Sequence, residues 1–296
     1  MSRMRFSLAR RRTAQALAGT VAVALSAGLG ATITQQPAAA AAPRGVKMSE
    51  SFRVASFNVL GASHTETRRR GFDPYQPRVR RMIGLFERRG LDIVGMQEYQ
   101  WRQHELFTKL TGTTWGVYPG TELGRGPSQN SIAWRNAEWT LVEKHMYKIP
   151  YFYGKLVAQP YVKLRHKQGG QEVWVINTHN AADARGPAQH WRDQAIAIQA
   201  ELANRLERTG RPVFLTGDFN DREDAFCGLT GASNLTAANG GYWYGGVCRP
   251  PSKMKIDWVF LSKSVRVHGY THWDNHVTNS ISDHPLIYAD VSSPLS

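Results

Sequence analysis

Several short apolar runs of this chain begin or end on a polar side chain that could take part in chemistry. These side chains are Asn58, Glu98, His179, Asp218, Asn220, Asp257 and the neighbours Asp283 and His284. Each alone has a structural explanation, because Asp and Asn form turns and helix caps and a strand-end His is commonly a structural residue. Their joint occurrence at the ends of predicted strands instead indicates one functional site.

The stretch LTGDFND at residues 215–221 shows why a cation is expected there. It follows an apolar run with two aspartates and an asparagine, whose oxygens repel one another unless a positive charge lies between them. Hard oxygen ligands suit Mg²⁺ or Mn²⁺, whereas a zinc site would use Cys and several His. The candidate oxygen ligands are Asn58, Glu98, Asp218, Asn220 and Asp283.

Two histidines supply what oxygen ligands cannot. His179 and His284 can transfer a proton or donate a hydrogen bond near neutral pH. Asp257 would orient one of these imidazoles and stabilise its charge. The residue types therefore predict acid–base chemistry beside a divalent cation.

Short apolar runs alternate with helical stretches along the chain and must position these side chains. The helical patterns are residues 77–89, 102–110 and 190–207. The strand-like runs are residues 52–60, 92–97, 115–118, 131–134, 139–148, 161–165, 173–177, 213–217, 256–261, 265–270 and 286–291. They fall into two similar blocks, 52–165 and 173–291, and each block is expected to make one mixed sheet. Two sheets packed face to face, with helices outside, would collect strand ends at one rim.

The N-terminal region reads as a secretory signal rather than as part of the fold. Five arginines precede an apolar stretch from about Ala14 to Ile33, and small residues follow up to Ala42. We therefore predict a signal peptide over residues 1–42, a short leader over 43–51 and one domain over 52–296, with the protein secreted after cleavage. A membrane anchor is the alternative. The export route, Sec or twin-arginine, stays open.

The mature chain is strongly basic. Removing the five leader arginines from a formal net charge of +14 leaves +9. Such a charge attracts polyanions such as nucleic acid or anionic lipid headgroups, although a soluble surface rich in arginine is the plainer alternative.

The only two cysteines, Cys227 and Cys248, both lie in the exported part. In an oxidising compartment, two cysteines in one Gly/Asn-rich loop are expected to form a disulfide. Free thiols or a metal pair are the alternatives, and the chain has no further Cys to complete a metal site.

The segments SFNV, QE, NTH, GDFN, ID and SDH, in this order, resemble the motifs of the endonuclease/exonuclease/phosphatase superfamily over about residues 52–291. The set is specific, whereas any one motif alone is weak. The resemblance implies a four-layered α/β/β/α sandwich and metal-dependent cleavage of a phosphoester, which agrees with the rim of strand ends expected above.

The resemblance also implies how the metal is bound. Glu98 would be the principal ligand, with Asn58 nearby and Asp283 completing the site. The implied cofactor is Mg²⁺, with Mn²⁺ or Ca²⁺ as alternatives. The number of ions that act at once stays open.

The remaining motif residues take the catalytic roles that the resemblance implies. Asp218 and Asn220 would align or activate the attacking water and hold the phosphate. His284, paired with Asp257, would stabilise the pentacovalent phosphate or act as acid or base, and His179 would contact the phosphate from the other side.

Three features favour a nuclease, and in particular an endonuclease. They are the basic charge, the GDFN motif and the cysteine pair that follows it, since pancreatic-type deoxyribonucleases likewise carry a disulfide between DFN and the later Asp. The candidate substrate contacts are Arg135, Asn180, Tyr242 and Trp243. DNA versus RNA, and endo versus exo cleavage, stay open.

Other functions compete with this interpretation. Tyr242–Tyr244, flanked by glycine pairs, could enter a membrane interface, so a secreted sphingomyelinase-like phospholipid phosphodiesterase is the first alternative and a phosphatase of the same superfamily the second. A basic binding module without catalysis is disfavoured, because no ligand or acid–base position carries an inert residue. No protein partner is implied, and we expect a monomer.

Overall fold

The computed structural model describes residues 47–66 and 71–295. The predicted signal peptide, residues 1–42, and residues 43–46 of the predicted leader lie outside the described residues. No helix within the described ranges has both the length and the apolar character that crossing a bilayer requires.

The described residues form fourteen strands and five α-helices. The strands are β1 (Phe52–Asn58), β2 (Ile93–Gln97), β3 (Trp115–Tyr118), β4 (Ser131–Arg135), β5 (Trp139–Pro150), β6 (Leu156–His166), β7 (Glu172–His179), β8 (Val213–Asp218), β9 (Leu235–Ala237), β10 (Tyr242–Tyr244), β11 (Val247–Arg249), β12 (Asp257–Ser262), β13 (Arg266–Trp273) and β14 (Leu286–Ser292). The helices are α1 (Tyr75–Arg88), α2 (Trp101–Thr111), α3 (Gln189–Glu207), α4 (Glu223–Ala232) and α5 (His276–Asn279).

Twelve of these strands make two mixed sheets of six. The first sheet has the order β13-β14-β1-β2-β4-β3, and the second has the order β5-β6-β7-β8-β12-β9. β1 pairs with β2 in parallel, and β7 pairs with β8 in parallel, while the other neighbours are antiparallel. β10 and β11 form a separate short hairpin.

The two sheets pack face to face, and helices cover their outer faces. Strand β1 shows how the sequence achieves this, because Phe52 and Val54 face the second sheet whereas Ala55 and Phe57 face α1 and α2. Helices α3 and α4 pack on the outer face of the second sheet. Strands buried on both faces appear in the sequence as continuous apolar runs. The predicted α/β/β/α sandwich is confirmed.

The predicted division of strands between the sheets is wrong. Strands β13 and β14, from the end of the chain, join the first sheet, and β14 pairs with β1 from Phe52↔Val291 to Ser56↔Ile287. Strands β5 and β6 belong to the second sheet. Local order along the chain cannot reveal such pairings, because they join segments more than two hundred residues apart.

The described part of the predicted leader is paired with the end of the chain. Met48 bridges Pro294, and the Leu295 amide donates to the carbonyl of Lys47 at 2.8 Å. These residues precede β1 and follow β14, so they lie at the end of the sandwich opposite Asn58. The folded domain therefore includes residues before Phe52.

Near the rim, polar side chains replace the apolar core between the sheets. Gln97 donates to Asn177 at 2.7 Å, and Asn177 donates to the carbonyl of Met96 at 2.8 Å and accepts from Thr216 at 3.1 Å. A Cβ on Gly95 would lie 2.0 Å from the hydroxyl oxygen of Thr216, so only glycine allows the sheets to approach here. This buried polar layer forms the floor beneath the strand ends.

Candidate active site

Three adjacent strands of the second sheet align three polar residues at the rim. The parallel register of β7 and β8 pairs His179 with Asp218, and the antiparallel register of β12 and β8 pairs Asp257 with Asp218. Paired residues in neighbouring strands point to the same face of a sheet. Nε2 of His179 accordingly lies 3.5 Å from Oδ2 of Asp218.

His284 joins this row from the other sheet. It lies in the turn before β14, where its Nδ1 is 3.0 Å and 3.1 Å from the two carboxylate oxygens of Asp257. Its Nε2 is 3.7 Å from Oδ2 of Asp218. The site is therefore assembled across the interface of the two sheets.

The Asp257 carboxylate controls the protonation of His284. Burial alone would lower the pKa of His284, but the hydrogen bond and charge of Asp257, together with the charges of Asp218 and Asp283, raise that pKa to about 10. Burial raises the pKa of Asp257, and the hydrogen bond from His284 opposes this effect. We conclude that His284 is an imidazolium at neutral pH.

Glu98 directly follows β2 and is held by three donors. Burial would raise the pKa of its carboxyl, but the hydrogen bond from His64 and the charge of His179 hold that pKa far below its usual range. His64 Nδ1 lies 2.9 Å from Oε2 of Glu98, and the amide of Gly61 donates to the same oxygen at 3.0 Å. Glu98 adopts φ +56°, which turns its side chain away from the strand direction.

Asn58 joins two of the carboxylates. Its side-chain nitrogen donates to Glu98 at 3.1 Å and to Asp218 at 3.0 Å, while its oxygen accepts from the amide of Leu60 at 3.1 Å. Asn58 therefore positions the carboxylates with its amide nitrogen, and its oxygen is turned away from them.

Asn220 and Asn180 close the site behind Asp218. Asn220 has φ +51° and donates to the carbonyl of Asn180 at 3.0 Å, and its own amide donates to Oδ1 of Asp218 at 2.9 Å. The Asn180 side chain is buried and accepts from Gln199 at 2.7 Å. Asn180 thus supports Asn220 through its carbonyl, while its side-chain amide nitrogen is buried and has no hydrogen-bond partner among the described residues.

Two site residues were not predicted from the sequence. His64 lies in a turn six residues after β1, and Tyr151 lies after β5 with its ring edge-on to His179 at 6.0 Å. Burial raises the pKa of Tyr151, and the charges of Asp218 and Glu98 raise it further. Neither residue ends an apolar strand, so the pattern of strand ends could not find them.

The family follows from a match of the chain to a family model. The model of the endonuclease/exonuclease/phosphatase family matches residues 55–284, which include the whole rim. The chain belongs to this family.

Solved structures of the endonuclease/exonuclease/phosphatase family share the fold at low sequence identity. A family member from Bacteroides thetaiotaomicron is 20% identical, with a TM-score of 0.65 over 84% of this chain and 100% of that chain. The mannosyl-6-phosphatase Bt3783 of the same organism is 19% identical, with a TM-score of 0.63 over 81% and 99%. D. rerio TDP2, complexed with a single-strand DNA product, is 15% identical, with a TM-score of 0.58 over 82% and 99%. No curated protein sequence matches the chain significantly.

Family membership identifies the reaction class. The chain is a phosphoesterase of the endonuclease/exonuclease/phosphatase family, and the enzymes of this family generally depend on a divalent metal. The donor set fits that requirement, because Asn58 holds the carboxylates of Glu98 and Asp218 side by side. Beside them, ligand atoms of Asp218, Asp257 and His284 lie within 4.8 Å of one another, but a protonated His284 has no free nitrogen lone pair, so the carboxylates are the ligands that suit a cation.

Asp283, another predicted ligand of this family's site, lies at the same rim but is exposed. Its charge raises the pKa of His284 and also acts on the buried guanidinium of Arg78. Arg78 donates to the carbonyls of Val59 and Ile281 at 2.9 Å and 2.8 Å, and so ties the turn after β1 to the loop that carries His284.

The structure places Arg135 far from the rim. Arg135 ends β4 at the end of the first sheet opposite the rim, where it donates to the carbonyl of Leu91 at 2.7 Å and pairs with Glu87 at 3.0 Å. The prediction that Arg135 contacts substrate is therefore corrected. β4 runs antiparallel to β2, so its last residue lies beside the start of β2 and not beside Glu98.

Tyr242 and Trp243 lie on the hairpin of β10 and β11, which protrudes from the second sheet. Tyr242 is 57% exposed and Trp243 is 36% exposed. The predicted disulfide is present, and it joins Cys248 of β11 to Cys227 of α4. No hydrogen bond or ring contact within the described residues joins this hairpin to the row of His179, Asp218, Asp257 and His284, which is the candidate catalytic row.

Proposed function

We propose that the chain is a Mg²⁺-dependent phosphodiesterase that hydrolyses nucleic acid. The observation that carries the proposal is the position of His284, which is paired with Asp257 and lies 3.7 Å from Asp218. Asn58 joins the carboxylate of Asp218 to that of Glu98. An imidazolium and a set of carboxylates at this spacing suit in-line attack of water on a phosphodiester.

Each side chain has a definite task in this reaction. Glu98 and Asp218 would hold the cation, which when bound supplies positive charge to the phosphate and lowers the pKa of water. Asp218 and Asn220 orient the attacking water. His284 donates a hydrogen bond to the phosphoryl oxygen on which charge grows, and His179 contacts the phosphate from the side of Tyr151.

Nucleic acid is favoured by charge and by one structural relative. The chain without its first 42 residues carries a formal charge of +9, and a basic surface raises the encounter rate with polyphosphates. D. rerio TDP2, which shares the fold, was solved with a single-strand DNA product. Both observations support nucleic acid as the substrate class.

A phospholipid phosphodiesterase is the second candidate. The hairpin exposes Tyr242, Trp243, Tyr244 and Val247, and Tyr244 is 81% exposed. Aromatic side chains of this kind bind at the interface of a bilayer. The hairpin is the observation that keeps this candidate open.

A substrate panel separates the candidates. The protein beginning at residue 43 is incubated with Mg²⁺ and, in separate reactions, with plasmid, single-stranded DNA, RNA and sphingomyelin liposomes. We expect cleavage of nucleic acid, loss of cleavage in EDTA, and a decrease of about a hundredfold or more in His284→Ala, which also excludes a contaminating nuclease. Cleavage of liposomes alone would contradict the proposal.

We also propose that the protein is exported. The arginine-rich apolar leader and the Cys227–Cys248 disulfide both suit secretion. Expression of the full chain should release a protein whose N-terminus, read by mass spectrometry, lies near residue 43.

A further inference from the structure

A groove of about 830 Å³ lies at the rim beside the catalytic row. It is bounded by the loop of residues 250–256 on one side and by β13 on the other. The residues of its lining that matter here are Gly241, Lys253, Met254, Lys255, Tyr270 and His272. Its volume suits a ligand of the size of one nucleotide.

The groove adjoins the Asp257–His284 pair from both sheets. Lys255 lies two residues before Asp257, and His272 of β13 pairs with Ile287, three residues after His284. Tyr270 of β13 packs against the core cluster between the sheets, which includes Val259 of β12, and burial raises the pKa of its hydroxyl, with the charge of Asp257 raising it further. A strand bound at the catalytic row can therefore continue into the groove.

The lining of the groove combines cations with apolar surface. Lys253 and Lys255 are exposed, and neither forms an ion pair with a carboxylate in the part of the chain that the structure describes. Burial and the charge of Lys255 lower the pKa of His272, with the charge of Asp274 opposing. Met254 and the ring of Tyr270 complete the walls.

Close packing and the disulfide hold the outer wall of the groove, which includes Gly241 and Pro251, in place. Gly241 has φ +82°, and a Cβ there would lie 2.7 Å from the ring of Phe226 and 2.8 Å from Pro251. The disulfide between Cys227 and Cys248 fixes the same segment to α4. The groove thus exists before any ligand binds, which reduces the entropy cost of binding.

We propose that this groove binds the nucleotide next to the scissile phosphate, with its phosphate on Lys253 and Lys255 and its base against Tyr270 and Met254. This inference rests on the proposed nucleic-acid substrate. A polyanionic strand fits better than a bilayer surface, because the aromatic wall is recessed between two elements and the lysines stand beside it.

The test measures binding separately from hydrolysis. A short fluorescein-labelled single-stranded oligodeoxynucleotide is titrated in EDTA with the wild type, with K253A/K255A and with K109A/K263A. The control variant removes the same charge from exposed lysines on α2 and after β12, at the other end of the sandwich. We expect K253A/K255A to bind about tenfold more weakly and to lower the slope of log K against log salt by about 0.7, because both lysines contact one phosphate and each phosphate neutralised on a single strand contributes about 0.7.

Each outcome has a definite meaning. The proposed nucleotide site would be refuted if the two double variants bound the oligonucleotide with equal affinity, or if the wild type did not bind it. The same proteins are also titrated with phosphatidylserine vesicles. If K253A/K255A lost binding to these vesicles but kept its affinity for the oligonucleotide, the lysines would be assigned to a lipid surface and the proposed nucleotide site would be refuted. Hydrolysis is followed in parallel with Mg²⁺, so a wild type that binds the strand in the groove but cleaves no nucleic acid contradicts only the proposed function.

Discussion

At the scale of single residues, His64 is an example of a group whose role depends on another side chain. It contacts Glu98 at 2.9 Å and helps to hold its carboxyl ionised. Partners of this kind orient metal ligands, and their loss commonly weakens metal binding by about 10–100-fold.

We predict that His64→Ala weakens binding of Mg²⁺ by about tenfold and leaves kcat at saturating Mg²⁺ within about threefold. The measurement is a calorimetric titration together with the dependence of rate on Mg²⁺ concentration. His268→Ala serves as a control, since His268 is exposed and contacts Ser292 on β14, at the far end of the sandwich. Unchanged metal affinity in His64→Ala would contradict the role given to His64.

The pair of Asp257 and His284 leads to a prediction about pH. The wild-type rate should fall as pH rises through about 10, where His284 loses its proton. In Asp257→Asn the carboxylate that raises this pKa is gone, so the alkaline limb of the pH–rate profile should move to lower pH. Glu105→Gln, on the exposed side of α2, should leave the profile unchanged. An alkaline limb that stays in place would show that another group controls it.

At the scale of secondary-structure elements, the disulfide fixes the hairpin of β10 and β11 to helix α4, where apolar packing contributes little. The hairpin of β10 and β11 leaves Tyr242, Tyr244 and Val247 exposed, so it buries little of its apolar surface. Cys248 fixes it to Cys227 of α4, closing a loop with a sequence separation of 21 residues. The bond therefore supports both the hairpin and the wall of the adjoining groove.

We predict that C227S/C248S lowers the free energy of unfolding by about 3 kcal/mol, chiefly by releasing the unfolded chain. For a domain of this size the melting temperature should fall by about 6–12 °C. Differential scanning calorimetry measures the change, and the wild type in dithiothreitol should match the variant. Equal melting temperatures with and without the disulfide would refute the prediction.

The elements themselves were largely predictable from the sequence, whereas their partners were not. Strands such as β8 and helix α3 have apolar patterns that depend only on neighbouring residues. The pairing of β14 with β1 depends instead on which distant strand completes the buried face, and no local pattern contains that information. For this reason the helices and strands were predicted, but the division into two consecutive blocks was wrong.

At the scale of the whole molecule, the site depends on how closely the two sheets approach. Beneath the rim, Asn177 of the second sheet accepts from Gln97 and donates to the carbonyl of Met96 across the interface. Thr216 donates to Asn177 within the second sheet, and Gly95 leaves room for these side chains. These hydrogen bonds fix the relative position of the sheets, while Oε1 of Gln97 has no hydrogen-bond partner among the described residues.

We predict that Gly95→Ala destabilises the protein by about 3 kcal/mol or more, since its Cβ would meet Thr216 and Asn177 at 2.0 Å and 2.4 Å. Gly126→Ala is the matched control, because a Cβ at Gly126 meets nothing within 4 Å and its φ is −66°. That change should stay within about 0.5 kcal/mol. Urea unfolding of both variants is the measurement, and similar stabilities would contradict a tight approach at Gly95.

The catalytic row was predictable because its residues end strands, and strands that run into one rim must bring their ends together. Asp218, Asp257 and His179 are examples, since the registers of β7, β8 and β12 place them side by side. The prediction for Arg135 is wrong because it did not account for strand direction. β4 runs antiparallel to β2, so its last residue lies at the end of the sheet opposite the rim. The polar floor and the turn that carries His64 depend on tertiary packing, which no single stretch of sequence specifies.

The pairing of Lys47 with Leu295 has a practical consequence. Both residues lie at the end of the sandwich opposite the rim. A linker attached beside either of them would therefore fix the molecule to a bead or sensor chip with the rim facing away from the support. Long polymers in the overlying solution would then reach the open rim without obstruction from the support.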